Sequence, residues 1–227
     1  MTAEEWSALL LSFRVGVVAV LASLPFAIGI GYGLARWPFP GRWLIQGVID
    51  LPLVLPPVVT GFLLLALLGP KGPVGDFLES WFGIRVAFTW KGAAVASAVV
   101  SFPLMVRAIR GTFQEIDPRL ELAARSLGAS PWMAFLTVTL PLAFRGVVAG
   151  SVLAFGRSIG EFGATIMLAG DIPGETRTIP LAIYSLGHRV GGIEQTWRLV
   201  TLSIALAIGA LILGELIEAR RNKRVLS

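Results

Sequence analysis

The chain has 227 residues, 55% of them hydrophobic and only 15% charged, with a mean hydropathy of +0.78. Soluble domains carry roughly 25% charged residues, so an ordinary soluble globular protein is excluded. The absence of cysteine excludes disulfides and thiolate metal sites, and the net charge of +5 must be explained by where the basic residues lie.

A helix needs about 20 apolar residues to cross a bilayer. Five stretches approach or exceed that length: 9–34, 43–68, 92–106 extending toward Arg110, 145–169 and 196–213. They predict an all-α polytopic membrane protein of about five transmembrane helices. Connections are mostly short, so one membrane domain fills 1–227. Trp6, Trp37, Trp43, Trp81, Trp90, Trp132 and Trp197 fall at or outside the ends of these stretches, where an amphipathic indole prefers the headgroup zone.

No basic segment precedes the first stretch and no small-residue cleavage site follows it, so it reads as a retained helix rather than a signal peptide. The second carries Pro52, Pro56 and Pro57. Each ring removes a backbone donor and disturbs the carbonyl four residues earlier. Pro56 and Pro57 lie near the middle of the stretch, hence near the midplane, where freed carbonyls are tolerated only against protein or a water-filled cavity. The break is either a packing kink or a discontinuity lining a pathway.

The 111–144 connection holds a spaced signature: Ala123 and Ala124, three residues, Gly128, nine residues, then Val138, Thr139, Leu140 and Pro141, with Glu121 just upstream. A small-residue helical turn lets a partner approach closely. Gly128 suits a tight helix exit, and Pro141 suits the first position of the next helix.

The fourth stretch has two GxxxG spacings, Gly146/Gly150 and Gly156/Gly160, which let another helix approach closely. At about 100° per residue, Ser151, Ser158, Glu161 and Thr165 share one polar face, with Arg157 one turn from Glu161. Ions at mid-membrane cost about 2.5–3.5 kcal/mol each on insertion scales, so Arg157 and Glu161 are expected to pair. The pair either locks helix packing or lines an anion path, and a gate would satisfy both. The next loop, from Asp171 through Pro180 to Gly191 and Gly192, is an ordinary surface connection or an external docking loop. Thr176, Arg177 and Thr178 offer it hydroxyl and guanidinium donors suited to an oxyanion. His188, the only histidine, has no assigned role.

Orientation follows from lysine and arginine in the connections. Arg36, Arg42, Arg107, Arg110, Arg119, Arg125, Arg145, Arg220, Arg221, Lys223 and Arg224 fall on one side, against Lys71, Arg85, Lys91, Arg177 and Arg189 on the other. The richer side is expected to be cytoplasmic, which puts the C-terminus inside and the N-terminus outside. This topology explains the pI near 10.4 better than a nucleic-acid partner does. No GxxxxGK[ST] or HExxH string occurs, so neither a P-loop ATP site nor an HExxH metal hydrolase is encoded.

The 121–141 signature resembles the cytoplasmic EAA loop of permease subunits from bacterial ABC importers. The acid stands one position early, with Leu122 directly before the alanine pair. The strings LPLVLPP (51–57), SFPLMVRAIR (101–110), AFGRSIGEFGAT (154–165) and IPGETRTIP (172–180) resemble the molybdate permease branch of that family and its close sulfate relatives. The resemblance implies a type I importer permease in the bacterial inner membrane, working as a homodimer. It also implies a cytoplasmic ATPase dimer that holds ATP and Mg, and a periplasmic or lipid-anchored binding protein that selects the oxyanion. No catalytic residue, cofactor or metal is expected in this chain. Sulfate, thiosulfate or tungstate would suit the same architecture. An ion-coupled secondary transporter would call for paired inverted repeats, which the sequence lacks.

Overall fold

The computed structural model describes residues 2–189 and 192–225; Gly191 of the expected external loop lies outside them. Every regular element among the described residues is helical. α1 (Ala3–Arg36) opens on a capping box, in which Thr2 Oγ1 accepts from the Glu5 amide at 3.2 Å and the Glu5 carboxylate accepts from the Thr2 amide at 2.8 Å. Its 34 residues extend about 50 Å, well beyond the roughly 30 Å hydrocarbon core.

The expected second span is broken: it is two helices, α2 (Arg42–Val54) and α3 (Pro57–Leu68), with a bend of 112° between them. The Leu55 amide closes α2 on Leu51 O, and Pro57 then opens α3 where no backbone donor is needed. α4 (Pro73–Phe82) is a short helix resting on α3. α5 (Trp90–Glu115) runs through the middle of the molecule.

α6 (Pro118–Ser126) and α7 (Pro131–Ala134) occupy the expected 111–144 loop. Pro141 does not open a helix as the sequence suggested. One π-helical turn, Phe135–Thr139, joins α7 to α8 (Leu140–Ile159), so Pro131–Ile159 forms one 29-residue rod. The Leu140 amide reaches back five residues to Phe135 O. That wider turn accommodates the Pro141 ring, which would clash with a carbonyl in a regular helix.

The expected fourth span also needs correction. The rod ends at Ile159, and α9 (Gly163–Ala169) is a separate helix. Ser151, Ser158, Glu161 and Thr165 therefore do not form one helical face, because Glu161 lies in the break. α10 (Ile179–Gly187) and α11 (Ile193–Val225) complete the chain. Among the described residues, three helical runs, α1, α5 and Pro131–Ile159, are long and apolar enough to cross a membrane unbroken. The bent α2–α3 pair can supply a fourth span, and α11 holds the shorter apolar stretch Thr196–Gly209.

The main core lies where α1, α5 and α8 meet, around Ala27, Leu34, Met105, Ile109, Phe113 and Ala154. The Gly146/Gly150 spacing makes that crossing possible: a Cβ on Gly146 would stand 1.8 Å from Thr112 Oγ1, and one on Gly150 would stand 3.1 Å from Met105 O. The second spacing packs nothing comparable, since a Cβ on Gly156 would meet open space. Elsewhere α3 packs on α9, and the start of α1 packs on α10 and α11 through Ala8, Ile179, Ala182 and Leu199.

Candidate coupling helix and membrane-centre elements

Two regions gather the residues singled out in the sequence. The first is α6. Asp117 caps it by accepting from the Arg119 amide at 2.9 Å, and Pro118 fills the first helical position. The helix leaves through Gly128, whose φ of +97° places it in the left-handed region, while the Ala129 amide returns to Ala124 O. The C-cap role read from the sequence is therefore present. No residue of α6 is buried. Leu122, Ala123 and Leu127 are exposed, and Leu127, at 91%, is the most exposed large apolar side chain described. Such a ridge on a capped helix suits insertion into a partner's groove.

Glu121 does something the sequence did not show. Its two carboxylate oxygens accept from Tyr32 OH at 2.7 Å and from Thr139 Oγ1 at 3.0 Å. One side chain thus ties α6 to the end of α1 and to the π turn. The Tyr32 ring meets Phe113 and Phe135 edge-on, with centroids 5.5 and 4.8 Å away. Arg36 adds a hydrogen bond to Ile116 O at 2.9 Å. Tyr32 and Thr139 gave no periodic signal, because they meet Glu121 only across 89 and 18 residues of chain. Leu140 is half-buried against the main core, whereas Pro141 is exposed.

The second region lies where the two broken segments meet. A Cβ on Gly61 would stand 2.7 Å from Ala164 backbone, and one on Gly163 would stand 2.9 Å from Pro57 Cβ, so α3 and α9 touch immediately beside their breaks. Pro56 is exposed and Pro57 half-buried at this elbow. Arg157 and Glu161 do pair, at 2.7 Å, across the end of α8 rather than along a helix. The other Glu161 oxygen accepts from the Ala164 amide at 2.8 Å and so starts α9. Ser158 donates to Ser101 Oγ at 3.2 Å, and Ser151 donates to Val147 O within its own helix. Thr165 and Thr60 are buried with hydroxyls that have no hydrogen-bond partner among the described residues. Thr60 was not singled out in the sequence, since hydropathy gives no sign of which apolar helix faces another.

Thr176, Arg177 and Thr178 do not form the exposed anion-docking set expected of them; all three are buried. The Arg177 guanidinium is committed to both carboxylate oxygens of Asp171, at 2.6 and 3.1 Å. Thr176 Oγ1 accepts from the Ile172 amide and donates to Gly170 O. Six residues of separation let Asp171 neutralise Arg177 within one loop turn, which a count of donors alone overlooks. Two further pairs escaped the sequence reading: Arg107 bridges Asp50 at 2.8 Å, and Arg110 donates to Gln46 Oε1. Both fasten α2 to α5.

Residues 24–223 match the family of binding-protein-dependent transport system inner membrane components. The chain belongs to that family. It is 54% identical to the molybdenum transport system permease protein ModB of Escherichia coli K12, over 95% of this chain and 94% of that protein. The corresponding Haemophilus influenzae protein is 53% identical over 97% and 96%. The E. coli sulfate transport system permease protein CysT is more distant, at 37% over 92% of this chain and 74% of its own length. The fold matches a bacterial alginate ABC transporter solved with its pentasaccharide-bound periplasmic protein, at a TM-score of 0.76 and 19% identity, covering 98% and 81% of the two chains. It also matches the inward-facing MetNI methionine ABC transporter, at a TM-score of 0.67 and 17% identity over 96% and 97%. The permease is thus an inner-membrane transport component with the type I importer fold.

Proposed function

We propose that this permease forms the membrane path of an ATP-driven importer for a tetrahedral oxyanion, with molybdate as the substrate. The observation that carries the substrate is the 54% identity to the molybdenum permease across nearly the whole chain, against 37% to a sulfate permease. Two copies enclose the path between them, each using 1–227 as one membrane domain. The Pro56–Pro57 elbow and the broken α8–α9 segment beside it, with Ser151, Arg157, Ser158, Glu161 and Thr165, form the gate. Half-buried Arg157 offers the charge that attracts a dianion, and Glu161 holds it in place until a state change frees it.

α6 docks on a separate cytoplasmic ATPase, which binds ATP and Mg. Its exposed Leu122, Ala123 and Leu127, and the Glu121 clasp behind them, support that role. The distribution of basic residues supports a cytoplasmic C-terminus and an external N-terminus. A periplasmic or lipid-anchored binding protein delivers the anion.

The test is uptake into proteoliposomes holding the permease, its ATPase and its binding protein. Molybdate uptake that requires ATP and persists under excess sulfate supports the reading. Uptake without ATP refutes the importer. Sulfate uptake that excess molybdate leaves unchanged refutes the substrate.

A further inference from the structure

An open groove of about 400 Å³ lies between α1, α2 and α5, lined by Phe26, Ile30, Val48, Ile49, Pro52 and Phe102. That volume falls within the roughly 300–1,000 Å³ range of small-ligand clefts. Ser23 is the one polar lining side chain among the described residues, and its hydroxyl is spent on Ala19 O at 2.6 Å. Nothing in the groove can hold a polar ligand.

The helix faces that line it lead to a different chemistry at one end. On α5, Phe102, Val106 and Arg110 recur at four-residue spacing; on α2, Ile49, Gln46 and Arg42 follow one another at three- and four-residue steps. Arg110 donates to Gln46 Oε1 at this end, and its Nε is buried with no hydrogen-bond partner among the described residues. Arg42 lies within electrostatic range of Arg110 and has no ion pair among those residues. Arg107 differs, because Asp50 neutralises it at 2.8 Å. Two arginines therefore stand together at the head of an apolar slot, and the one acid acting on Arg110 among the described residues, Asp50, is already paired with Arg107.

We infer that this groove binds an anionic phospholipid, with an acyl chain along Phe26, Ile30, Val48 and Phe102 and the phosphate on Arg42 and Arg110. Basic pockets between transmembrane helices suit anionic headgroups, and a guanidinium fork matches a phosphate in two bonds. Burying the chain gains little inside a bilayer, where lipid is already apolar. Selectivity must come from the headgroup. A second copy docked isologously at the same place would set arginines against arginines. Because α5 continues from Arg110 to Glu115 and into α6, the lipid would sit beside the coupling helix.

The experiment is native mass spectrometry of the purified full chain, titrated with phosphatidylglycerol or phosphatidylcholine of identical acyl chains. The wild-type chain is expected to retain phosphatidylglycerol preferentially. Arg42→Gln and Arg110→Gln should each weaken retention about fivefold, and the double variant about 30-fold. Ala98→Leu, which fills the groove with both arginines intact, should also lower retention. If the double variant does not fold, the single variants and Ala98→Leu carry the same test. Equal retention of the two lipids, or undiminished retention in the variants that fold, would overturn the proposal. Displacement of the lipid by inorganic phosphate would make this a free-anion site instead. A spontaneous disulfide between two copies of a Phe26→Cys variant, in a chain with no native cysteine, would give the groove to a second copy.

Discussion

Arg157→Gln and Glu161→Gln are expected to destabilise the permease unequally. Glu161 is 2% exposed and has two partners, the Ala164 amide at 2.8 Å and the Arg157 guanidinium at 2.7 Å. Arg157 keeps 31% of its side chain exposed. Removing the arginine charge strands a buried carboxylate on a single amide donor, and breaking one side of a buried pair costs about 3–5 kcal/mol. Removing the carboxylate charge is milder. The new amide oxygen still accepts from Ala164, and the arginine side chain is only partly buried, so the loss is that of a charge-assisted bond, about 1.5–3 kcal/mol. At about 2–4 °C per kcal/mol for a chain of this length, Tm should fall by about 10 °C for Arg157→Gln and about 5 °C for Glu161→Gln. The double variant, with no buried charge left, should return to within about 5 °C of the parent. Thermal unfolding of the detergent-purified chain, followed by tryptophan fluorescence, measures all three. Equal drops in the single variants, or a double variant as unstable as Arg157→Gln, would refute the asymmetry. Uptake by the double variant then separates the roles: restored Tm without transport assigns the pair to the anion path, and restoration of both makes it structural.

Gly128→Asp should abolish copurification of the ATPase while lowering stability by only about 1–2 kcal/mol, because the added side chain meets open space and the cost is the φ of +97° alone; unchanged copurification removes α6 as the docking element. Tyr32→Phe keeps the ring among Phe113 and Phe135 but deletes the bond to Glu121, so ATPase stimulation by permease should fall with a stability loss of about 1–3 kcal/mol. Full stimulation would show that the clasp does not transmit. Gly146→Val should lower folded yield sharply, by about 1–3 kcal/mol or more, because its Cβ would overlap Thr112, whereas Gly156→Val should be neutral by fluorescence size-exclusion chromatography. Equal tolerance at both positions would refute the observed α5–α8 crossing.

Membrane character, all-helical class and the tight exit at Gly128 were legible in the chain because each depends on local pattern. Apolar length reports burial in lipid, Pro56 and Pro57 report a backbone break, and Gly128 reports a left-handed exit. Resemblance carried the family, through strings spread over most of the length. What composition could not supply was direction. Proline showed that the second stretch breaks, but not that its halves turn through 112°, since the angle depends on what α3 packs against. Four-residue spacing correctly paired Arg157 with Glu161, yet the helix had already ended at Ile159, so the shared polar face inferred from helical period did not exist. Donors counted at Thr176, Arg177 and Thr178 looked available until the loop closed on Asp171. Sequence alone determined which segments leave water and where the backbone must break, because those follow from side-chain transfer energy and proline sterics. Only the tertiary structure decided which polar groups consume one another, Glu121 with Tyr32 and Thr139, Asp50 with Arg107, because such pairs form between residues that the fold, and not the chain, makes neighbours.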